Sequence, residues 1–256
     1  MEKLSVVTIA KNEEKNIEKF LSRLNWVDEI VVVDNGSTDR TAKYAKNFTD
    51  SVYSFEGNHF GELKQFAVSK ATGDWILVLD VDEHITAMLK KEIKSVLRSK
   101  IDYKGYEILR VGYFLNHRLH AKGFHEYKVR LFKRELGCLT QVPVHEEVVV
   151  QGKIGRLRGE ITHYSYRSVG QTIAKLTRYA RLEAPLFYAK GDRVTFKKFT
   201  LYPLHMFWEI FIKDQGYKDG IWGFGLAVCF AYYEFARYFF LFMYRLKTLK
   251  IREENS

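Results

Sequence analysis

Cysteine is scarce in this chain. The two that occur, Cys138 and Cys229, stand in unrelated contexts without metal-ligand spacing. A disulfide framework is therefore not expected, and a reducing compartment is. A basic-then-apolar leader is missing as well. The chain opens on Met1-Glu2-Lys3 and passes straight into a core strand, so export by a signal peptide is not expected. No internal repeat or low-complexity linker interrupts the 256 residues, a length that suits one large domain, or a core domain with an appendage. Positive charge, by contrast, is plentiful, with a formal net charge of +10.

The most informative segment is Trp75 to Glu83. Ile76 to Leu79 is a short run of β-formers after the turn-like Thr72-Gly73-Asp74, apolar on both faces. Such a strand belongs in the middle of a parallel sheet covered by helices. It ends in Asp80, Asp82 and Glu83, beyond the carboxyl end of a strand, where ligands bind in open α/β sheets. Alternation along an extended chain would turn Asp80 and Asp82 the same way. Like-facing carboxylates repel unless a cation lies between them, and a hard divalent ion shared with substrate phosphates meets that need. The plainer alternative is an acidic loop capping a helix that begins near Thr86.

A second such junction lies near the N-terminus. Leu4 to Ala10 reads as a buried strand that breaks at Lys11-Asn12-Glu13-Glu14. Ile17, Phe20, Leu21 and Leu24 then follow helical spacing, with Asn12 as the expected N-cap. Glu29 to Val33 is the next strand, ending in Asp34-Asn35-Gly36-Ser37-Thr38-Asp39, and a further helix follows, capped by Ser37 or Asp39. This β-α-β-α order predicts right-handed parallel crossovers, with both loops on the carboxyl edge of the sheet. Ser51 to Ser54 is a candidate third strand, and Gly61 to Ala71 a helix carrying Lys64 and Gln65.

The ordered set Val6 to Glu14, Val33 to Asp39 and Asp80 to Glu83 resembles the nucleotide-sugar-binding half of family 2 glycosyltransferases. A closer resemblance, to small bacterial enzymes that build lipopolysaccharide core or related surface glycans, rests on Val142 to Glu147 and Ile161 to Ser165. The implied fold is α/β of the GT-A (Rossmann-like) type: a mostly parallel central sheet with flanking helices, plus a helical amphipathic C-terminal extension. The implied boundaries are 1–100 for the nucleotide-sugar half, 101–168 for the acceptor half and 169–256 for the extension. Asp34 would accept a hydrogen bond from the base edge, as an ionised carboxylate suits a donor. Thr8, Ala10 and Glu13 would line the base and ribose. Lys64 would approach the diphosphate, Asp80 would face the ribose or the metal's outer shell, Val81 would face the donor, and Asp82 would coordinate Mg2+ or Mn2+, completed by His163. A Val-His-Glu element supplies the base in similar enzymes. It maps onto Glu146, with Glu147 as the alternative and His145 beside the diphosphate or acceptor.

Between Lys104 and Arg134, eight bases face only two acids and interleave with aromatics. This could signal nucleic-acid binding, but carboxylate-bearing loops favour a phosphorylated glycolipid or an anionic membrane. In related enzymes the strand bearing Arg130 sits in the acceptor half, so Arg130 would contact acceptor or diphosphate. Thr172 to Tyr188 has helical spacing, and Ile221 to Tyr244 is long and heavily apolar. Its length allows a membrane span, yet Glu234 and Arg237 near its middle are costly in a bilayer and are spaced to pair on one helix face. An interfacial helix fits better, with Arg245, Lys247, Lys250 and Arg252 as an anionic-lipid contact. Packing against protein, or a homodimer interface, is the competing reading.

The expectation is a metal-dependent, inverting hexosyltransferase, cytoplasmic and peripheral to the inner face of the cell membrane. It would use a nucleotide diphosphate sugar such as UDP-glucose and a glycolipid or lipopolysaccharide-core acceptor, with no nucleic acid partner. A nucleotidyltransferase is the rival enzyme, but Ala10-Lys11-Asn12-Glu13-Glu14 lacks the glycines its triphosphate loop needs. A non-catalytic membrane-surface scaffold of the same fold is the other alternative.

Overall fold

In the computed structural model the described residues are 2–57, 59–99, 102–140 and 146–254, with side chains as far as residue 248. His145, and Val142 to Val144 before it, lie outside them. Two units divide the chain: Met1–Val111 with Glu126–His163, and Gly112–His125 with Tyr164–Ser256.

The first unit begins with the expected alternation of strands and helices: β1 (Leu4–Ala10), α1 (Ile17–Leu21), β2 (Glu29–Asp34), α2 (Thr41–Ala45), β3 (Val52–Ser54), α3 (Phe60–Lys70) and β4 (Trp75–Val78). There follow β5 (Glu83–Ile85), α4 (Ala87–Val96), β6 (Gly105–Phe114), β7 (His117–Arg118), β8 (His125–Lys133), β9 (Gly137–Leu139), β10 (Val148–Val150) and β11 (Ile154–Tyr166). Among the described residues the main sheet runs β3-β2-β1-β4-β8-β6-β11-β5, with β7 against β6. Strands β1 to β4 pair in parallel. Beyond them β8 runs antiparallel to β4, and β5 antiparallel to β11.

Strict alternation explains why these strands are apolar on both faces. Val6, Val32, Leu77 and Leu79 pack with Ile17, Phe20, Leu89 and Ile93 on one side. Val7, Val31, Val33, Ile76 and Val78 pack with Leu63, Ala67 and Val68 of α3 on the other. Each such side chain contributes about 1.5–3 kcal/mol when fully buried, so the parallel half is a rigid base for the loops at its carboxyl edge.

Those loops are stitched together. Asn12 has a left-handed φ of 56° and caps no helix; α1 starts after Asn16 instead. The Asn12 N–H donates to Ser37 Oγ at 2.9 Å, while Asn12 Oδ1 accepts from the Thr38 N–H at 2.8 Å. The Glu13 N–H donates to Thr41 Oγ1 at 2.7 Å, and Glu14 Oε2 accepts from the Arg40 N–H at 3.1 Å. The expected cap thus serves a neighbouring loop, because both loops emerge from adjacent parallel strands.

The second unit is built on helices α5 (Val169–Ala189), α6 (Phe196–Trp208) and α7 (Ile221–Glu254). Ser168 Oγ caps α5 by accepting from the Gln171 N–H at 3.2 Å. Phe114, Leu119, Leu176, Ile210, Leu226, Ala227 and Cys229 form its core. Glu234 is buried, and its Oε2 accepts from Arg237 Nη1 at 2.6 Å, while Arg237 Nε lies 3.1 Å from Glu183 Oε2 of α5. The two charges near the middle of α7 therefore pair with each other and with a neighbouring helix.

Close approach of β11 to the start of α4 depends on Gly159, where a Cβ would lie 2.4 Å from Leu89 N and 2.5 Å from Leu89 Cα. Gly159→Ala is expected to destabilise the protein by about 1–3 kcal/mol through overpacking. Gly170→Ala, with nothing within 4 Å of the added Cβ, should instead be neutral or stabilise by up to about 1 kcal/mol. Denaturant unfolding of both variants checks the contrast, and equal effects would refute it.

Candidate active site

The carboxyl edge of the parallel strands collects most of the residues singled out above. Asp34 closes β2 opposite Ala10. Its Oδ2 accepts from the Ser37 N–H at 3.1 Å, whereas Oδ1 is buried without a hydrogen-bond partner among the described residues. Thr8 Oγ1, one strand over, is in the same state. Buried acceptors left unpaired cost roughly 1–3 kcal/mol each, so this corner is primed for a hydrogen-bond donor. Ala10 is buried, and Glu13 Oε2 accepts from Asn16 Nδ2 at 2.7 Å.

Strand geometry does not persist to Asp82. β4 stops at Val78, and the Glu83 N–H donates to the Asp80 carbonyl at 2.9 Å, closing a tight turn. The three carboxylates consequently take three different surroundings. Asp80 Oδ1 lies 2.7 Å from Lys64 Nζ, and its Oδ2 lies 3.5 Å from Arg130 Nη2. Burial disfavours the charged form of Asp80, but the neighbouring charges of Lys64 and Arg130 outweigh it and hold the carboxyl well below the usual range. Val81 packs into the core. Asp82 Oδ2 is 3.1 Å from His163 Nε2.

Glu83 is fully buried. Its Oε1 accepts from Arg110 Nε and Arg130 Nη2, each at 2.8 Å, and its Oε2 accepts from the Asp80 N–H at 3.1 Å. Arg110 Nη2 lies 3.0 Å from His163 Nε2. The β5–β11 register sets His163 directly opposite Glu83, and so within reach of Asp82 next to it. Arg110 was missed as a site residue in the sequence. A lone arginine between the buried Ile108 and Val111 is the signal that it has a charged partner inside.

Lys64 sits on the inner face of α3 with Gly61 and Val68, its side chain 4 % exposed. It bridges Asp80 to Glu146 Oε1, at 2.6 Å. Burial opposes its charge, the carboxylate of Asp80 more than compensates, and the ammonium pKa is raised. The approach of the Thr140 backbone to α3 relies on Gly61, since a Cβ there would meet the Thr140 carbonyl oxygen at 2.1 Å. Glu147 points elsewhere: it is exposed, and its N–H donates to Thr140 Oγ1 at 2.9 Å. Arg130 is buried against Glu83 and Asp80 rather than presented to solvent. Burial works against its charge, the carboxylates of Glu83 and Asp80 overcome it, and its pKa rises.

Asp82 Oδ2 and His163 Nε2 are the oxygen and nitrogen here that could hold a divalent cation, and the same Nε2 also faces the Arg110 guanidinium at 3.0 Å. A carboxylate oxygen and an imidazole nitrogen 3.1 Å apart are spaced as neighbouring ligands around one ion.

A parallel α/β half whose strand ends carry a buried acceptor, an acidic turn and a lysine-held glutamate belongs to the GT-A class of folds. Residues 5–148 match the family described as Glycosyl transferase family 2, and the chain is a member of it and an enzyme with glycosyltransferase activity. Relatives include the Rhizobium meliloti lipopolysaccharide core biosynthesis glycosyltransferase LpsC, 28 % identical over 242 residues, covering 91 % of this chain and 89 % of that one. An uncharacterised glycosyltransferase of Rickettsia typhi is 28 % identical over 270 residues, covering 100 % and 90 %. Among solved structures, similarity extends to Staphylococcus aureus TarS (TM-score 0.46, 15 % identity, 96 % of this chain and 92 % of that one). It extends also to the Pyrobaculum calidifontis mannosyltransferase in complex with GDP-Man and Mn2+ (TM-score 0.47, 15 % identity, 76 % and 65 %).

Glu83→Gln should separate structure from chemistry in the acidic turn. Removing the charge leaves Arg130 buried beside a weaker partner, an expected loss of about 3 kcal/mol, whereas Asp82→Asn should leave stability within about 0.5 kcal/mol. Thermal unfolding of the two variants decides it; similar melting temperatures would show that Glu83 is no anchor.

Proposed function

We propose that the enzyme transfers a hexose from a nucleotide diphosphate sugar, with inversion, to a lipopolysaccharide-core or other lipid-linked glycan. The observation that carries this reading is the convergence, on one sheet edge, of the unpaired Asp34 Oδ1, the Asp82–His163 pair and the Lys64-bound Glu146. The acceptor class draws on the relative named for lipopolysaccharide core biosynthesis.

In this reading Asp34 Oδ1 accepts the base N–H, and Thr8 Oγ1 with the Ala10 and Glu13 backbone lines the base and ribose. Val81 contributes its backbone beside the sugar. Asp82 and His163 would hold Mg2+ or Mn2+, which when bound offsets the charge of the departing nucleoside diphosphate. Lys64 and Arg130 fix Asp80 and offset the carboxylate charge of the diphosphate corner. Glu146 is the base: Lys64 grips one carboxylate oxygen, and the other takes the acceptor hydroxyl proton on the face opposite the leaving group. The inward direction of Glu146 favours it over Glu147. His145, outside the described residues, would complete the acceptor side.

Removing the general base or a metal ligand should cost about 10²–10⁴-fold in turnover. Asp82→Asn and Glu146→Gln are therefore expected to abolish most sugar transfer from labelled nucleotide sugar to membrane extract. Transfer at the parental rate by both variants would overturn the mechanism. Stabilisation by the cognate nucleotide sugar, read as a rise in melting temperature with Mn2+ present, identifies the donor.

The second unit supports a cytoplasmic enzyme resting on the membrane surface. α6 buries no residue fully; Phe199 and Tyr202 contact Phe235 and Tyr238 of α7, while Leu201, Leu204 and Trp208 stand at least half exposed at helical spacing. Phe196 at its start is 84 % exposed. Residues Ile221–Thr248 of α7 are long and apolar enough to cross a membrane by length and composition, with mean hydropathy 1.3. The Glu183–Arg237–Glu234 cluster and the packing on α5 and α6 favour a helix held by protein on one side and lipid on the other. Replacing Phe196, Leu201 and Leu204 with serine should release the protein from anionic vesicles with its fold intact by circular dichroism. Undiminished sedimentation with the vesicles would refute a lipid contact there.

A further inference from the structure

Three of the four non-glycine residues with left-handed φ among the described residues, Leu115, Asn116 and Gln215, lie in the second unit. Leu115 and Asn116 form the two-residue turn between β6 and β7, where Phe114 pairs with His117. A leucine at φ 50° is a costly choice for such a turn. Gln215 at φ 64° and Gly220 at φ 56° flank the short 3-10 turn Gly216–Asp219. Gly216 and Gly223 in this segment admit no Cβ: it would lie 2.7 Å from the Ile210 carbonyl oxygen at the first and 1.9 Å from the Gly216 oxygen at the second. Two tight, strained turns thus deliver His117 and Asp219 to one spot.

Asp219 is fully buried at its side chain, and its two oxygens are differently engaged. Oδ2 accepts from the backbone N–H groups of His120 and Ala121, at 2.9 and 3.1 Å. Oδ1, also reached by the His120 N–H at 2.9 Å, faces two imidazoles: His117 Nε2 at 3.2 Å and His120 Nδ1 at 2.8 Å. The three ligand atoms all lie within 4.8 Å of one another.

We propose that His117, His120 and Asp219 form a second metal site, selective for a borderline divalent transition ion such as zinc. Ligands at about 2.0–2.2 Å from a tetrahedral zinc stand roughly 3.3 Å apart, close to the two edges that meet at Asp219 Oδ1. Two imidazoles and a carboxylate suit zinc better than magnesium or calcium, which prefer oxygen alone. The backbone N–H groups on Oδ2 orient the carboxylate, the supporting shell that metal-binding carboxylates need. His117 and His120 are 33 % and 58 % exposed at their side chains, so an ion can enter from solvent and keep an open position there. This site shares no residue with Asp82 and His163 and takes a softer ion.

The test uses untagged full-length protein carrying Asp82→Asn and His163→Ala, which removes the other candidate ligands. Equilibrium dialysis against zinc should give one ion per chain, and cobalt substitution should give visible d–d absorption. Adding His117→Ala or His120→Ala should weaken zinc binding at least ~10-fold and abolish the cobalt spectrum. The Asp219 bonds to backbone N–H groups remain in both variants, so the melting temperature without metal should hold. A parent that takes up no zinc would mean that Asp219 merely ties two turns together by hydrogen bonds. Zinc uptake undiminished in both histidine variants would place the ion elsewhere. Either result overturns the proposal.

Discussion

A largely buried lattice of alternating charges at the end of β4 organises the candidate catalytic edge of this enzyme. Lys64 joins Asp80 to Glu146, Arg130 joins Asp80 to Glu83, and Arg110 closes on Glu83 beside His163. Removing one partner from such a lattice strands its neighbour in a low-dielectric interior, a penalty of about 3–5 kcal/mol. The elements that carry these residues, α3, the turn after β4, β5, β6, β8, β11 and the segment before β10, are thereby held to one geometry. Hydrophobic packing makes the sheet; the charges decide where its loops point.

The lattice also divides labour among carboxylates that look alike in sequence. Glu83 is sealed inside between two arginines, Asp80 is held ionised by Lys64 and Arg130, and Asp82 turns toward His163. A tight turn does this where an extended strand would have set Asp80 and Asp82 side by side. The antiparallel pairing of β5 with β11 then brings a histidine eighty-one residues away to the acidic turn.

The second unit obeys a different rule. Its core is aromatic and aliphatic, its charges pair between helices, and a large apolar surface stays uncovered on α6 and α7. Exposed large apolar side chains in such number on two helices are unusual on a protein that meets only water. The charged edge around Lys64 and Asp80 and the exposed apolar side chains of α6 and α7 belong to separate units.

Much of the first hundred residues was legible because the information there is local. Apolar runs such as Val31-Val32-Val33 and Ile76-Leu77-Val78 bounded by turn residues specify strands, and the spacing of Ile17, Phe20 and Leu21 specifies α1. The ordered acidic loops were enough to point to the family. Asn12 was misplaced as a helix cap, since its partners, Ser37 and Thr38, come from another loop. Arg110 escaped notice, and the ion pairs of Arg130 with Glu83 and Asp80 were not foreseen, because a buried ion pair leaves no periodic signature. By itself the sequence determined the strand-and-helix order, the acidic strand ends and the family, all consequences of side-chain pattern within a few residues. Tertiary structure alone decided which carboxylate is anchored, which meets His163 and which glutamate meets Lys64, because those choices rest on strand register and helix placement between residues far apart in the chain.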